Sequence, residues 1–115
     1  MHEGRAQVLQ AELDRFVDIV AHEMNPERII LFGSFTHGEV HEWSDLDLVV
    51  VMETDLPFLN RLRTIRRRVH PQVTTDLFVY TPDEWEQLRV ASPFIRDEID
   101  AKGRVLYEQP RTAVG

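Results

Sequence analysis

The segment Leu46–Val51 constrains the fold of this chain more than any other stretch. Its sequence is Leu-Asp-Leu-Val-Val-Val, a nearly continuous apolar run rich in β-branched residues. Such a run is typical of a β-strand that is buried on both faces. A strand of this kind needs a layer of structure on each side, so we expect an α/β (α+β) fold in which helices flank a small mixed sheet.

The rest of the chain supplies the other elements. Apolar residues at helical spacing predict a first helix over about residues 5–24, and a second over about Pro57–Val69 with Leu59, Leu62, Ile65 and Val69 facing inward. Thr81-Pro82-Asp83-Glu84 has the capping pattern that begins a third helix. Ser92-Pro93 begins a fourth, which Gly103 would end in the left-handed conformation. Three further strands are predicted at Arg28–Phe32, Val73–Tyr80 and Val105–Tyr107.

Length and composition limit the classes of protein that are possible. The 115 residues predict a single domain over residues 1–115, with the last residues, from about 109 to 115, frayed. The chain has no cysteine, which excludes disulfides and thiolate chemistry. No apolar run is long enough to cross a membrane, so we expect a cytoplasmic protein. The net charge of −7 argues against direct binding of nucleic acid.

A Gly-Ser turn precedes the predicted strand Leu46–Val51, and two aspartates lie at the start of that strand. This pattern suits the binding of phosphate groups and of a metal ion. Gly33 and Ser34 end the preceding strand, and ten residues later comes Asp45-Leu46-Asp47. A glycine lets the backbone approach a ligand closely, and the N–H groups at the start of a short helix favour anions. Two aspartates two residues apart on a strand project from one face and repel each other unless a cation lies between them. The pattern indicates a corner for nucleotide phosphates beside a magnesium site.

A third carboxylate, Asp76, lies in the predicted strand Val73–Tyr80. If this strand pairs beside Leu46–Val51, Asp76 reaches the same site, and three carboxylates around two Mg²⁺ ions suit nucleotidyl transfer. Simpler interpretations stay open: a strand-ending turn at Gly33-Ser34, a cap or loop residue at Asp45, and a solvated edge-strand side chain at Asp76. A simpler interpretation of this kind does not explain Asp47 well. This carboxylate lies between two leucines, and a buried carboxylate rarely lacks a partner.

The pattern of Gly33-Ser34, ten residues, Asp45-x-Asp47 and then Asp76 resembles the nucleotidyltransferase signature of the DNA polymerase β superfamily. Within it, the short chain is similar to the minimal nucleotidyltransferase (MNT) family, from about Phe16 to Glu108. The resemblance implies a polymerase β-like fold, with ATP as substrate and two Mg²⁺ ions as cofactors. It implies that Gly33 and Ser34 bind nucleotide phosphates, that Asp45 and Asp47 bind both metals, and that Asp76 completes the metal site and helps to activate the acceptor.

The resemblance also implies a partner. MNT proteins often pair with a helical HEPN ribonuclease toxin, so the chain is expected to form a hetero-oligomer and to act as an antitoxin that transfers AMP from ATP to a tyrosine of the toxin. One departure favours an alternative: family members often have arginines after the Gly-Ser corner, where this chain has Phe35, Thr36 and His37. The alternative is a catalytically weak or inactive antitoxin that occludes its partner. Transfer to a small molecule such as an aminoglycoside would need a second subunit.

Other polar and aromatic residues have simpler explanations. Five arginines between Arg61 and Arg68 form the basic cluster of the chain, and a solvated helix face is favoured over a patch that docks an acidic partner or RNA. His37 and His41 are four residues apart, but Gly38 between them makes a helical zinc pair improbable. Trp43 could stack on a base, although packing on its own domain is the more common role for a loop tryptophan.

Overall fold

The chain forms a four-stranded sheet with helices on both faces. The computed structural model describes residues 2–37 and 46–110. In chain order the elements are α1 (His2–Met24), β1 (Arg28–Phe32), a 3₁₀ turn (Ser34–His37), β2 (Leu46–Val51), α2 (Phe58–Val69), β3 (Thr75–Tyr80), α3 (Pro82–Ala91), a π-helix (Ile95–Ala101) and β4 (Arg104–Glu108). The strand order is β3-β2-β1-β4; β2 and β3 run parallel and the other neighbours antiparallel. The mixed α+β sheet predicted from the sequence is confirmed.

Strand β2 lies inside the sheet and contributes to a core on each face. Leu46, Leu48 and Val50 belong to the larger core, which α1 and α2 cover, whereas Val49 and Val51 belong to a second core with residues of α3 and the π-helix. Asp47 is the one residue of β2 that is not fully buried. The double-sided burial that the sequence of this strand predicts is therefore observed, with a polar break at Asp47.

The helix boundaries follow local signals. Thr81 caps α3: its hydroxyl accepts the Glu84 N–H at 3.2 Å, and the Glu84 carboxylate accepts the Thr81 N–H at 2.9 Å. This is the predicted capping box. The inward face of α2 is confirmed at Ile65 and Val69, but the inclusion of Leu59 was wrong, because this side chain is 60% exposed.

The arginines of α2 do not form a purely solvated face. Arg61 is buried and donates to the carbonyl oxygens of Leu56 and Val79, at 2.8 and 3.1 Å, as well as to the carboxylate of Glu84. Arg66 donates to the carbonyl of Thr75 at 2.7 Å. Since β3 is an edge strand, two of its carbonyl groups are thus covered by arginines, which protects the edge from pairing with another strand.

One expectation near the end of the chain, the left-handed conformation of Gly103, needs correction. Gly103 is not left-handed, because Gly33 is the glycine with a positive φ in the described residues. Gly103 is instead required by close packing: an added Cβ would lie 2.2 Å from the Ile99 carbonyl oxygen and 2.8 Å from Ile30. Gln109, at the start of the segment predicted to be frayed, donates its backbone N–H to the Glu27 carbonyl at 2.8 Å, and residues 111–115 of that segment lie outside the described residues. No helix in the described ranges combines the length and apolar character that a membrane span requires.

Candidate active site

A row of three side chains crosses one face of the sheet where β1 ends and where β2 and β3 begin. Phe32 of β1 pairs with Asp47 of β2, and Asp47 pairs with Asp76 of β3. Residues directly opposite each other on neighbouring strands point to the same face, so the two carboxylates are side by side. Asp47 is half-buried and Asp76 is exposed. The row therefore combines one half-buried carboxylate, that of Asp47, with one that is open to solvent, that of Asp76.

Gly33 lies directly against the first of these carboxylates. Its φ is +82°, which a residue with a side chain rarely adopts. A Cβ built on Gly33 would lie 2.2 Å from Oδ2 of Asp47 and 3.0 Å from its Cγ. Glycine is thus needed both for the turn and for the space that the Asp47 carboxylate fills. Ser34 follows at the first position of the 3₁₀ turn, where the Thr36 N–H donates to the Gly33 carbonyl.

The contact between Gly33 and Asp47 leads to a prediction for Gly33→Ala. The alanine must adopt a left-handed backbone and its methyl group must displace the Asp47 carboxylate. We expect a loss of about 2 kcal/mol in the free energy of unfolding, from backbone strain. Any activity that depends on Asp47 should fall by about a hundredfold, because an ångström-scale displacement of a reacting group costs that much. Denaturant unfolding and an assay of nucleotidyl transfer measure the two effects.

The matched control is Gly4→Ala, because nothing lies within 4 Å of a Cβ built on Gly4, which is in helix α1. This variant should be as stable as the wild type or slightly more stable, with unchanged transfer. Equal behaviour of the two alanine variants would contradict the role assigned to Gly33.

An apolar cleft of about 330 Å³ adjoins the two aspartates. Val49 and Phe78 line it from the strands, and Ile95 and Ile99 line it from the π-helix, with Phe94 just before that helix. Phe78 and Phe94 are 36% and 58% exposed, so aromatic surface is accessible to a ligand. The cleft thus joins a carboxylate end to a mostly apolar interior.

Tyr80 lines the cleft four residues beyond Asp76 on the same strand. Its ring stacks on Trp85 with a centroid separation of 6.0 Å and contacts Phe58 at 5.8 Å. Burial, and secondarily the negative charge of Glu84, raise the pKa of Tyr80 above its ordinary value. The phenol therefore keeps its proton at neutral pH, and the negative charge that lines the cleft is contributed by Asp47 and Asp76.

The donor chemistry of Asp47 and Asp76 fits a hard divalent cation. Adjacent carboxylate oxygens are the ligands that Mg²⁺ prefers, and like charges on neighbouring strands are stabilised when a cation lies between them. No group of three or more metal-ligating side chains occurs among residues 2–37 and 46–110. Asp45, the third predicted ligand, lies outside these residues, as do His41 and Trp43.

The structure therefore brings together three of the five predicted site residues, namely Gly33, Asp47 and Asp76, and places Ser34 next in the chain. The sequence reasoning missed the apolar cleft beside them. The part of the cleft that β3 forms could have been predicted, since side chains alternate along a strand and Asp76, Phe78 and Tyr80 therefore lie on one face. The contribution of Phe94 was not visible in this way, because it depends on how the π-helix packs against the sheet.

A mixed sheet that places two carboxylates side by side next to a glycine turn can hold a divalent cation and the phosphates of a nucleotide. The comparison with protein families identifies the class of protein: the profile of the nucleotidyltransferase domain matches residues 13–106, well over half of the chain. The chain belongs to this family. No significant match was found among curated proteins.

Proposed function

We propose that the chain is a magnesium-dependent nucleotidyltransferase that transfers AMP from ATP to a hydroxyl group. The observation that carries the proposal is the pair Asp47 and Asp76, in register on neighbouring strands and next to the Gly33 corner. Membership of the nucleotidyltransferase domain family supports it. Nucleotidyl transfer needs few other protein groups, because positioning and charge neutralisation supply most of the catalysis.

Each residue of the site has a part in this proposal. Gly33 and Ser34 hold the phosphates of ATP, since Gly33 has no side chain in the way of a ligand and Ser34 begins a helical turn whose N–H groups favour anions. Asp45, Asp47 and Asp76 would hold two Mg²⁺ ions. Bound magnesium would neutralise the reacting phosphate and lower the pKa of the attacking hydroxyl. Asp76, the more exposed carboxylate, is open to the acceptor and takes up its proton.

The transfer is a displacement at the α-phosphorus of ATP. The acceptor oxygen forms a bond to this phosphorus, and the bond from phosphorus to the oxygen bridging the α- and β-phosphates breaks. Pyrophosphate leaves with the electron pair of the broken bond, and the acceptor proton passes to the Asp76 carboxylate. The products are the AMP-modified acceptor and pyrophosphate.

The proposed acceptor is a tyrosine of a HEPN ribonuclease toxin, for which the chain would be the antitoxin in a cytoplasmic hetero-oligomer. The resemblance to the MNT family supports this partner. Exposed apolar side chains give a protein partner a surface to cover, and the largest fractions exposed are those of Val90, Leu59 and Phe94. No distinct acceptor-binding domain is needed if the partner presents its own tyrosine.

Transfer of label from α-labelled ATP to the purified toxin tests the proposal. With Mg²⁺ we expect one labelled protein band, and with a chelator none. Mass spectrometry of the labelled band should find AMP on a tyrosine, and the modified toxin should lose its ribonuclease activity. The proposal fails if the toxin stays unlabelled in a complex that forms stably in the presence of ATP and Mg²⁺.

The second candidate is an antitoxin that occludes its partner without catalysis. The residues after Gly33-Ser34 favour it, because Phe35, Thr36 and His37 provide no arginine to steady the triphosphate. Replacing both Asp45 and Asp47 with alanine separates the candidates. An occluding antitoxin should keep its protective effect in this variant, whereas a transferase should lose protection while it still folds and still binds the toxin.

A further inference from the structure

A buried carboxylate lies on the face of the sheet opposite to the candidate active site. Glu12 belongs to helix α1, which covers the larger core, and its side chain is only 6% exposed. The proposed transfer gives this residue no part. A carboxylate is stable in such a position only where hydrogen-bond partners satisfy it, so the partners of Glu12 indicate what it does.

Glu12 and Arg15 together bind the segment that joins α2 to β3. The Glu12 carboxylate accepts the backbone N–H of Gln72 at 2.6 Å, and it accepts from the Arg15 guanidinium at 2.8 and 3.1 Å. Arg15 donates in turn to the carbonyl oxygens of Val69 and His70, at 2.7 and 3.0 Å. One turn of α1 thus holds this segment by three of its backbone groups.

The Glu12 carboxylate is charged at neutral pH. Burial raises the pKa of Glu12, but the hydrogen bonds from Arg15 and from the backbone of Gln72 outweigh burial and bring the pKa below its ordinary value. Hydrogen bonds to a charged group are roughly twice as strong as those between neutral groups. The bond from Gln72 to Glu12 is therefore among the stronger ones that a backbone N–H can make.

The segment needs such support because its backbone turns sharply at His70. The φ of His70 is +48°, in the left-handed region that residues with a side chain rarely adopt. A conformation of this kind persists only where the surroundings stabilise it. The His70 carbonyl accepts from Arg15 and from the side-chain amide of Gln72, the latter at 2.7 Å. These contacts stabilise the turn that sets where β3 begins.

The position of this segment determines which residue of β3 lies opposite Asp47. Gln72 precedes Asp76 by only four positions, and between them the Thr74 carbonyl accepts the Leu46 N–H at 3.1 Å. A slip of two residues would move β3 by about 7 Å along β2 and would keep every side chain on its face. Such a slip would break the bond between Gln72 and Glu12. The contacts with α1 therefore oppose a slip that the alternation of side chains permits.

We propose that Glu12 and Arg15 are positioning residues for the active site, which hold the start of β3 so that Asp76 lies opposite Asp47. Their effect on the rate rests on the proposed nucleotidyl transfer, whereas their effect on the strand does not depend on any activity. Neither residue lines the cleft beside the aspartates. They act through Asp76, because a small displacement of a reacting group lowers the rate strongly.

Hydrogen exchange of two backbone amides tests the effect on the strand. The Leu46 N–H bonds to Thr74 at the start of the β2–β3 pair, and the Met52 N–H bonds to Tyr80 at its other end, at 2.9 Å. In Glu12→Ala we expect the Leu46 amide to exchange about tenfold faster and the Met52 amide less than about twofold faster, because only the start of β3 is released. A general loss of stability would speed both alike.

Glu12→Gln is a milder variant that keeps the size of the buried side chain, so it provides the test if the alanine variant does not fold. Its amide oxygen can accept the Gln72 N–H, but the charge that binds Arg15 is lost. Exchange at Leu46 should again increase more than exchange at Met52, by a smaller factor than in Glu12→Ala.

Two variants of α1 are matched controls. Glu23→Ala removes the ion pair with Arg68, which also joins α1 to α2 but does not contact the segment before β3. Val20→Ala truncates a fully buried side chain of the same helix and lowers stability through the core. In both controls the exchange rates of Leu46 and Met52 should change by the same factor.

A double-mutant cycle in kcat tests the effect on the site, with α-labelled ATP and the purified toxin. We expect Glu12→Ala to lower kcat about tenfold and to leave the KM for ATP unchanged, because Gly33 follows β1, which β2 separates from β3. In a protein that already carries Asp76→Asn, Glu12→Ala should lower kcat no further, since the group it positions is gone. Val20→Ala should leave kcat unchanged in both backgrounds.

Two results would overturn the inference. Equal acceleration of exchange at Leu46 and Met52 in the Glu12 variants would show that Glu12 stabilises the fold as a whole. Losses of kcat that multiply in the double variant would show that Glu12 does not act through Asp76. Selective exchange at Leu46 in a protein that transfers no nucleotide would support the hold on β3 and would count against the proposed function.

Discussion

Replacing Asp47 with asparagine is expected to reduce nucleotidyl transfer by about a thousandfold, because a carboxylate that neutralises transition-state charge through a metal ion contributes several kcal/mol. The amide has nearly the same shape as the carboxylate, so it fits the space beside Gly33 that a Cβ would fill. The substitution therefore removes the charge and leaves the packing. Initial rates with α-labelled ATP and saturating Mg²⁺ measure the effect.

The control for Asp47→Asn is Asp55→Asn, an exposed aspartate between β2 and α2 that lies outside the cleft. It makes the same change in net charge and should retain full activity. Thermal unfolding of both variants shows whether the fold is intact. If Asp47→Asn transfers AMP at the wild-type rate, the row formed by Asp47 and Asp76 is not the metal site.

The position of β2 in the sheet could be predicted from local sequence, because its composition allows few alternatives. A run of Leu and Val with one aspartate favours burial on both faces, which a strand inside a sheet provides, and the β-branched residues favour a strand over a helix. The face of the sheet on which Asp76 lies could also be predicted from the sequence. A register slip of one residue in β3 would bury Asp76 and expose Leu77 and Val79.

The alternation of buried and exposed residues along β3 does not determine which residue of β3 pairs with Asp47. Slips of two residues keep every side chain on its face, so pairing with Asp76 or with Phe78 would look alike in the sequence. The observed register depends on the loop at each end of α2 and on the packing of that helix, which are non-local. The functional consequence is large, since only the pairing of Asp47 with Asp76 brings two carboxylates together.

Contacts between distant segments explain the other differences. Leu59 fits the apolar stripe of α2 by spacing, yet at this end of the helix it is left exposed. The sequence predicts that Arg61 is a surface residue. Its burial is favourable because its guanidinium donates to the carboxylate of Glu84, 23 positions later in the chain, and to two carbonyl groups. From the sequence Gly103 is predicted to be a left-handed cap, but an added Cβ would meet the carbonyl oxygen of Ile99 and the side chain of Ile30 on β1. The partners that lie far away in the chain could not be assigned from local pattern.

Arg61 leads to the largest expected change in stability. Arg61→Met keeps a long apolar stem but removes the donors to Leu56, Val79 and Glu84, so the buried carbonyl of Val79 and the partly buried acceptors of Leu56 and Glu84 lose their partner. We expect the free energy of unfolding to fall by about 3 kcal/mol. For a chain of this size that corresponds to about 10 °C in Tm. Calorimetry or circular dichroism at neutral pH measures the change.

Arg63→Met is the matched control, since Arg63 is exposed on the same helix and should change stability by less than about 0.5 kcal/mol. The pH dependence of the difference in Tm distinguishes the contribution of the ion pair between Arg61 and Glu84 from contributions that do not depend on pH. Hydrogen bonds from Arg61, and next the Thr81 N–H, lower the pKa of Glu84. Its stabilisation is thus complete above the ordinary carboxyl pKa and is lost as the pH falls through the lowered value. The difference in Tm between wild type and Arg61→Met should therefore shrink in acid, and a constant difference would assign the effect to the carbonyl hydrogen bonds and the packing of the stem, without a contribution from the ion pair.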